Sequence, residues 1–144
     1  PRSLADALRD HPAQVQDRWH ARLFFLAPAI KAILALMWLC SAVLGIIYGR
    51  PTTLALVDSL GLPTSLAGPL IWGTALLDTG IAWLVLIDRA ARWSTPAQII
   101  TIIGYTIIIG FALPGFWLDP LGPLMKNVPV LALVLVHGAI GHRR

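Results

Sequence analysis

The stretch that decides the fold is "IWGTALLDTGIAWLVLI", residues 71–87. Together with the apolar residues directly before it, this stretch reaches the roughly 20 residues that a membrane-spanning helix needs. Asp78 stands in its middle. A charged side chain at the centre of a bilayer costs on the order of a few kcal/mol. The sequence therefore predicts a spanning helix whose acidic residue either interacts with another polar side chain or has a functional role.

The composition of the whole chain agrees with a membrane protein. Its 144 residues allow one domain. Only 12% of them are charged and 57% are hydrophobic, whereas about a quarter of a soluble domain is charged. The net charge is +4, but the basic residues flank apolar runs and do not cluster with aromatic residues. We therefore predict an integral membrane protein that does not bind nucleic acid.

Four apolar runs predict an all-α, up-down bundle of four membrane helices, because short connections make consecutive helices antiparallel neighbours. The basic residues fall mainly on the side of the two termini and the second connection, and cytoplasmic loops are the ones rich in Lys and Arg. Both termini are therefore predicted to be cytoplasmic. The predicted spans are residues 24–48, 66–87, 97–113 and 124–140. The residues on the cytoplasmic side are Arg2, Arg9, Arg18, Arg22, Arg89, Arg92, Arg143 and Arg144, against Arg50 and Lys126 on the other side.

Residues 1–23 are the polar part of the chain and are predicted to be a linker with interfacial helices. Pro12 ends the first of these helices, and a second one is expected over residues 13–22. The middle of the first connection, "TTLALVDSL", residues 52–60, is predicted to form a short surface helix. No pattern of a cleaved signal peptide is present. Since the chain begins at Pro1, we expect processing or a fragment of a longer protein.

Lys31 is the basic residue predicted to lie closest in depth to Asp78. It follows Arg22 by nine residues, and Asp78 precedes Asp88 by ten. At about 1.5 Å per residue, both would lie some 15 Å inside the same membrane edge. Because the first two spans are expected to be neighbours, the two opposite charges could meet.

Three interpretations of Asp78 stay open at this point. Asp78 and Lys31 form an ion pair that fixes the register of two helices. Alternatively, Asp78 lines a polar pocket and binds a substrate or transfers protons. In the third interpretation Asp78 is neutral and hydrogen bonded to Thr74 or Thr79, while the Lys31 side chain reaches towards the headgroups.

A second polar group surrounds the last connection and consists of Asp119, Lys126 and Asn127. A lysine at the start of a helix opposes the helix dipole, so it should have a compensating partner. Asp119, across a turn rich in Pro and Gly, is the predicted partner. The alternative is a lysine that reaches the outer headgroups.

Small residues mark the predicted helix contacts, because they let helix backbones approach closely. Ser41, Gly45 and Gly49 recur at intervals of four in the first span, and Gly73 and Gly80 lie seven apart in the second. We therefore expect these five positions to lie where helices meet.

Metal and thiol chemistry have little support in the sequence. His137 and His142 are five residues apart, which is not the spacing that places two ligands on one helix face, and His11 and His20 are in the polar leader. Cys40 is the single cysteine, so it forms neither an intrachain disulfide nor a cysteine-based metal site, and a buried free thiol is expected. We predict no bound metal.

The spans carry a family resemblance. The first contains "ALMWLCSAVLGI", residues 35–46, the second has an acidic residue at its middle, and "PLGPLMKNVPVLALVLV", residues 120–136, leads into the fourth. This combination resembles the DoxX-like membrane family. In that family the last motif reads Pro, a small or aromatic residue, Gly, Pro, Leu, a hydrophobic residue, Lys and Asn. The acidic residue of the second span is commonly Glu there and is Asp78 here.

The leader carries a second resemblance. "PRSLADALRDHPAQVQDRWHARLFFLAPAIKAIL", residues 1–34, is similar to the junction in bacterial fusion proteins that join an atypical short-chain dehydrogenase/reductase domain to a DoxX-like domain. That resemblance implies an NAD(P)-binding domain upstream in the same polypeptide, on the cytoplasmic side of a bacterial inner membrane. The chain itself contains no visible cofactor site.

The functional expectation is the membrane domain of an oxidoreductase-type system, not catalytic by itself. It would anchor an NAD(P)-binding partner at the cytoplasmic face and present a lipophilic, quinone-like substrate. Two alternatives stay open. One is a small transporter or channel-like bundle, which would have to form a homo-oligomer, and the other is a subunit of a membrane redox complex.

Overall fold

The computed structural model describes residues 15–119 and 122–141, and this part of the chain is α-helical without a β-strand. The prediction of an all-α fold is therefore confirmed. The elements are α1 (Val15–Tyr48), α2 (Arg50–Ser59), a 3₁₀ turn (Thr64–Leu66), α3 (Ala67–Ile87), α4 (Ser94–Ala112), α5 (Gly115–Leu118) and α6 (Asn127–Gly141).

Four long helices correspond to the four predicted spans. They are α1, α3, α4 and α6, while α2 and α5 lie within connections, so the described part has six helices rather than four. The predicted surface helix in the first connection is α2. Three helices, α1, α3 and α4, are long and apolar enough to cross a membrane. At 15 residues, α6 is about 22 Å long, so a fourth complete span stays a prediction.

Helix α1 differs from the prediction at its start. It begins at Val15 and continues without interruption to Tyr48, so the polar segment before Arg22 is not a separate interfacial helix. No residue between Val15 and Arg22 is a Pro or Gly, and the helix therefore extends beyond the apolar run. The predicted break at Pro12 lies outside the described residues, as do His11 and the other leader residues up to 14.

The helices pack as a bundle around a small apolar core. Helix α1 lies along α3, and α6 contacts both α4 and α1. Outside the core the helices stay apolar: Trp83 is 65% exposed and Phe111 85% exposed. A helix that is hydrophobic on all sides is typical of a membrane span. The core consists of Ile30, Leu34, Ala35, Trp38, Ile81, Ala82, Val85, Ile102 and Val134.

Helices meet at one of the predicted small residues, Ser41, which hydrogen bonds to α3, and at two glycines of α6 that were not predicted. A Cβ atom on Gly138 would lie 2.9 Å from the Cγ2 atom of Thr95, and one on Gly141 would lie 2.5 Å from the Cβ atom of Ala91. Helix α6 therefore approaches the start of α4 at Gly138 and the connection before α4 at Gly141. At three of the predicted positions a Cβ atom would have no neighbour within 4 Å, so no other helix packs closely there and the prediction was wrong for them: Gly45, Gly73 and Gly80.

Candidate functional site

Asp78 lies at the middle of α3 and forms a polar cluster with two neighbouring helices. Its side chain is 3% exposed. The Ser41 hydroxyl of α1 donates to Oδ2 at 2.6 Å, and the Tyr105 hydroxyl of α4 donates to Oδ1 at 3.0 Å. Both carboxyl oxygens thus have a hydrogen-bond donor. We call these three residues the Asp78 cluster.

The buried face of α3 explains why Asp78 points inward. Four apolar residues of α3 are buried together with Asp78: Ala75, Ile81, Ala82 and Val85. Counted with Asp78, successive members of this group are one or three residues apart in the pattern of a helix, which places them on one face. Two of them are alanines, which leave room for the neighbouring backbone and for the hydroxyls that reach the carboxyl group.

Lys31 does not meet Asp78. Its Nζ atom donates to the main-chain oxygen of Asp88 at 3.3 Å. Ten residues of α3 separate Asp88 from Asp78, which is about 15 Å. The ion pair is therefore not the arrangement found. The depth estimate took Arg22 as the membrane edge of the first helix, but α1 is shifted so that Lys31 lies level with the end of α3 and Ser41 lies level with Asp78.

The two threonines considered as partners of Asp78 bind main-chain oxygens instead. Thr74 Oγ1 donates to the main chain of α3 one turn earlier, and Thr79 Oγ1 donates to the main-chain oxygen of Ala75 at 2.7 Å. Such bonds satisfy a hydroxyl within its own helix. The polar environment of Asp78 thus comes from other helices. Ser41 was predicted only as a position of helix contact, and Tyr105 was not singled out by the sequence.

A second buried hydrogen bond joins α1 to α4 next to the core. Trp38 Nε1 donates to Gln98 Oε1 at 3.0 Å, and Gln98 is completely buried. The Gln98 amide in turn donates to the main-chain oxygen of Ser94 at 3.1 Å. A glutamine within the apolar run of residues 97–113 was the sequence signal that could have identified this contact.

At the opposite end from Lys31, the last connection is tied to α4 through Asn127. Its Nδ2 atom donates to the Thr106 hydroxyl at 2.7 Å. Asp119 follows α5, and its main-chain oxygen accepts a hydrogen bond from Gly122 N–H at 2.8 Å. The Lys126 side chain is exposed. The Asp119–Lys126 pair stays a prediction. Since Thr106 follows Tyr105, helix α4 connects this motif to the Asp78 cluster.

A cavity of about 630 Å³ opens at the end of the bundle where α3 and α6 end, beside residues 27–31 of α1. His137 of α6 lies on its wall and is only 6% exposed. The His137 Nε2 atom is buried and has no hydrogen-bond partner within the described part of the chain. We call this space the His137 cavity. Its lining residues are Ala27, Pro28, Ile30, Lys31, Arg89, His137, Ile140 and Gly141.

Asp88 borders this end of the bundle and connects α3 to α4. Its Oδ2 atom accepts the N–H groups of Trp93 at 2.8 Å and Ser94 at 2.9 Å, which are among the groups that a helix start leaves without a partner. Partial burial raises the pKa of the Asp88 carboxyl, but the hydrogen bonds from the Ser94 and Trp93 N–H groups outweigh it, so the pKa lies below its usual value.

Two further predictions from the sequence concern Cys40 and the potential metal ligands. Cys40 is exposed on α1, so the expectation that it is buried was wrong. Helix α1 turns this residue towards the surrounding medium because Ala42 and Trp38 occupy the inner face. No group of three or more His, Cys, Asp or Glu residues lies together among residues 15–119 and 122–141.

Comparison with known proteins gives one match. A model of the DoxX-like family matches residues 35–135. No curated protein and no solved structure matches the chain. The matched range contains the whole Asp78 cluster and Asn127, whereas Lys31 and His137 lie just outside it.

Proposed function

The chain belongs to the DoxX-like family of membrane proteins, and on that premise we propose that it is the membrane domain of an oxidoreductase-type system. In this proposal the Asp78 cluster receives a lipophilic, quinone-like molecule from the bilayer. The end of the bundle that carries Arg22 and Arg89 faces the cytoplasm of a bacterial cell and holds an NAD(P)-binding partner domain. The observation that carries the proposal is a carboxyl group buried at mid-helix between hydroxyls of two other helices.

The chemistry of the cluster suits a molecule with carbonyl or hydroxyl groups on an apolar ring. Hydroxyl groups both donate and accept hydrogen bonds, and a carboxyl group can do the same when it is protonated. In hydrocarbon no water competes for these groups, so a lipophilic ligand can form a hydrogen bond to them without displacing water. Asp78 is buried, but Ser41 is exposed on the outer surface of α1 and Tyr105 is partly exposed. This exposure provides an approach from the lipid side.

Direct binding tests the ligand part of the proposal. We expect the purified chain in nanodiscs to bind a benzoquinone with a short isoprenoid tail, measured by quenching of tryptophan fluorescence. Asp78→Asn keeps the size of the side chain but changes its hydrogen-bonding pattern, and we expect it to weaken binding about tenfold. Asp58→Asn on the exposed surface of α2 is the matched control. Absence of quinone binding by the unmodified chain would contradict this part.

The size of the native product tests the anchoring part. An antibody against this chain should detect, in membranes of the source cells, a band of about three times its 15.6 kDa, as one added nucleotide-binding domain or somewhat more requires. A band near 15.6 kDa that co-purifies with no NAD(P)-binding protein would contradict the anchor.

The same cluster supports one rival function, a proton-coupled transporter, because a buried carboxyl group can exchange a proton with a site on either side. Flux driven by a pH gradient in proteoliposomes, present in the unmodified chain and lost in Asp78→Asn, would favour this rival if quinone binding were absent.

A further inference from the structure

The His137 cavity is built from three parts of the chain that meet at one end of the bundle. Lys31 comes from α1, Arg89 from the connection between α3 and α4, and His137 from α6. The rest of the wall is mostly apolar and includes Ala27, Ile30 and Ile140. A volume of about 630 Å³ lies within the range of ligand-binding pockets.

The charge of the cavity favours an anion. Two cationic side chains line it, Lys31 and Arg89. Asp88, a carboxylate at the same end of the bundle, already accepts two main-chain N–H groups. The bond from Lys31 Nζ to the main-chain oxygen of Asp88 uses one of the three ammonium protons. Lys31 therefore keeps donors for a ligand, and the Arg89 guanidinium adds a planar set of donors suited to phosphate or carboxylate.

His137 is the second, independent sign of a ligand. Buried polar atoms in proteins nearly always have a hydrogen-bond partner. His137 Nε2 has none within the described residues, and His137 is one of the residues that line the cavity. The Thr95 hydroxyl at the start of α4 is also buried without a hydrogen-bond partner among the described residues. Its side chain lies against Gly138 of α6. A ligand oxygen that entered the cavity would supply the missing partner of the imidazole.

We propose that the His137 cavity binds the phosphate group of an anionic lipid. Lys31 and Arg89 neutralise the phosphate, His137 hydrogen bonds to one of its oxygens, and the apolar wall contacts the glycerol and the start of an acyl chain. The location fits because the cavity lies at one end of the membrane helices, where the headgroups are. Basic pockets between membrane helices are a known way of holding acidic headgroups.

The site is separate from the Asp78 cluster in space and in sequence. Lys31 and His137 lie outside the residues that match the family, 35–135. Lys31 is level with Asp88, about 15 Å along α3 from Asp78. Lipid binding therefore does not depend on the proposed function, and Asp78→Asn should leave it unchanged.

Calorimetry on the delipidated chain in a nonionic detergent tests the proposal with three probes: short-chain phosphatidylglycerol, short-chain phosphatidylcholine and inorganic phosphate. We expect phosphatidylglycerol to bind at least about tenfold more tightly than either of the other two. The double variant Lys31→Gln/Arg89→Gln should lose at least about tenfold in affinity for phosphatidylglycerol. The variant Arg50→Gln, at the opposite end, should lose none.

A second double variant separates the loss of charge recognition from a loss of folding. Lys31→Arg/Arg89→Lys keeps both charges and should bind phosphatidylglycerol more tightly than Lys31→Gln/Arg89→Gln does, but less tightly than the unmodified chain, because position 89 loses its planar guanidinium. Phosphatidylglycerol that binds the unmodified chain and Lys31→Gln/Arg89→Gln equally well would overturn the proposal. Inorganic phosphate that binds as tightly as phosphatidylglycerol would overturn the lipid as the ligand and assign the cavity to a free anion.

Discussion

The Asp78 cluster and the His137 cavity each place an ionisable side chain among apolar helices, but they complete its hydrogen bonds in opposite ways. Both oxygens of Asp78 have a donor from a neighbouring helix. The Nε2 atom of His137 has no partner in the described chain. A complete network stabilises the fold by itself, whereas an incomplete one leaves a desolvation cost. The two regions therefore make opposite predictions for removal of the polar group.

The difference also affects how each region would bind a ligand. A molecule that reaches Asp78 must replace a bond already made by Ser41 or Tyr105, so the gain in binding is a difference between two hydrogen bonds. A molecule that reaches His137 adds a bond where none exists. Stability measurements and binding measurements on the same variants can distinguish these two cases.

Removal of the acceptor at Asp78 should have the largest effect. Asp78→Leu leaves the Ser41 and Tyr105 hydroxyls without their acceptor, so we expect the free energy of unfolding in detergent to fall by about 1–3 kcal/mol. Asp78→Asn retains one oxygen acceptor and should lose less than about 1 kcal/mol. Unfolding monitored by circular dichroism gives both values. If the Leu variant is as stable as the unmodified chain, the cluster does not hold the three helices together.

Removal of the imidazole at His137 should have the opposite sign. His137→Leu replaces a buried group without a partner by an apolar one, so we expect the free energy of unfolding of the lipid-free protein to stay the same or to rise by about 1 kcal/mol. In the presence of phosphatidylglycerol the same variant should gain less stability than the unmodified chain. A clear loss of stability without lipid would indicate that His137 has a partner within the protein.

Acid pH should have the smallest effect, through Asp88. Hydrogen bonds from the start of α4 hold the pKa of its carboxyl below the usual 3.8. The stabilisation by the charged form is therefore complete above that value and is lost as the pH falls through the lowered pKa of the folded protein. We expect the stability difference between the unmodified chain and Asp88→Asn to be constant near neutral pH and to shrink in strong acid. A difference that did not change with pH would contradict a role for the charge.

The sequence determined the long helices well because their signal is local. The predicted spans 24–48 and 66–87 end at the residues where α1 and α3 end, and the other two agree with α4 and α6 to within about three residues. The length and apolar character of each run are enough for this. The start of α1 was predicted wrongly because a helix can continue through polar residues beyond the apolar run, and hydropathy does not mark where it begins.

Partners across helices could not be read from the sequence. Asp78 stood out because it is a single acid in an apolar run, yet its partners were not the Lys31 that charge suggested but Ser41 and Tyr105. Gln98 gave a similar local signal, and its partner Trp38 gave none. An apolar helix exposes similar side chains on all its faces, so no pattern indicates which face turns inward.

The sequence by itself thus determined the all-α fold class, the positions of the four long helices apart from the start of α1, and a family resemblance that the match over residues 35–135 confirms. It also singled out Asp78 as an acid within an apolar run. The tertiary structure decided the axial shift of α1 against α3, the three-helix cluster around Asp78 and the His137 cavity. Hydropathy fixes which segments become helices, whereas their rotation and shift depend on how small residues such as Ala75, Ala82 and Gly138 fit against the next helix.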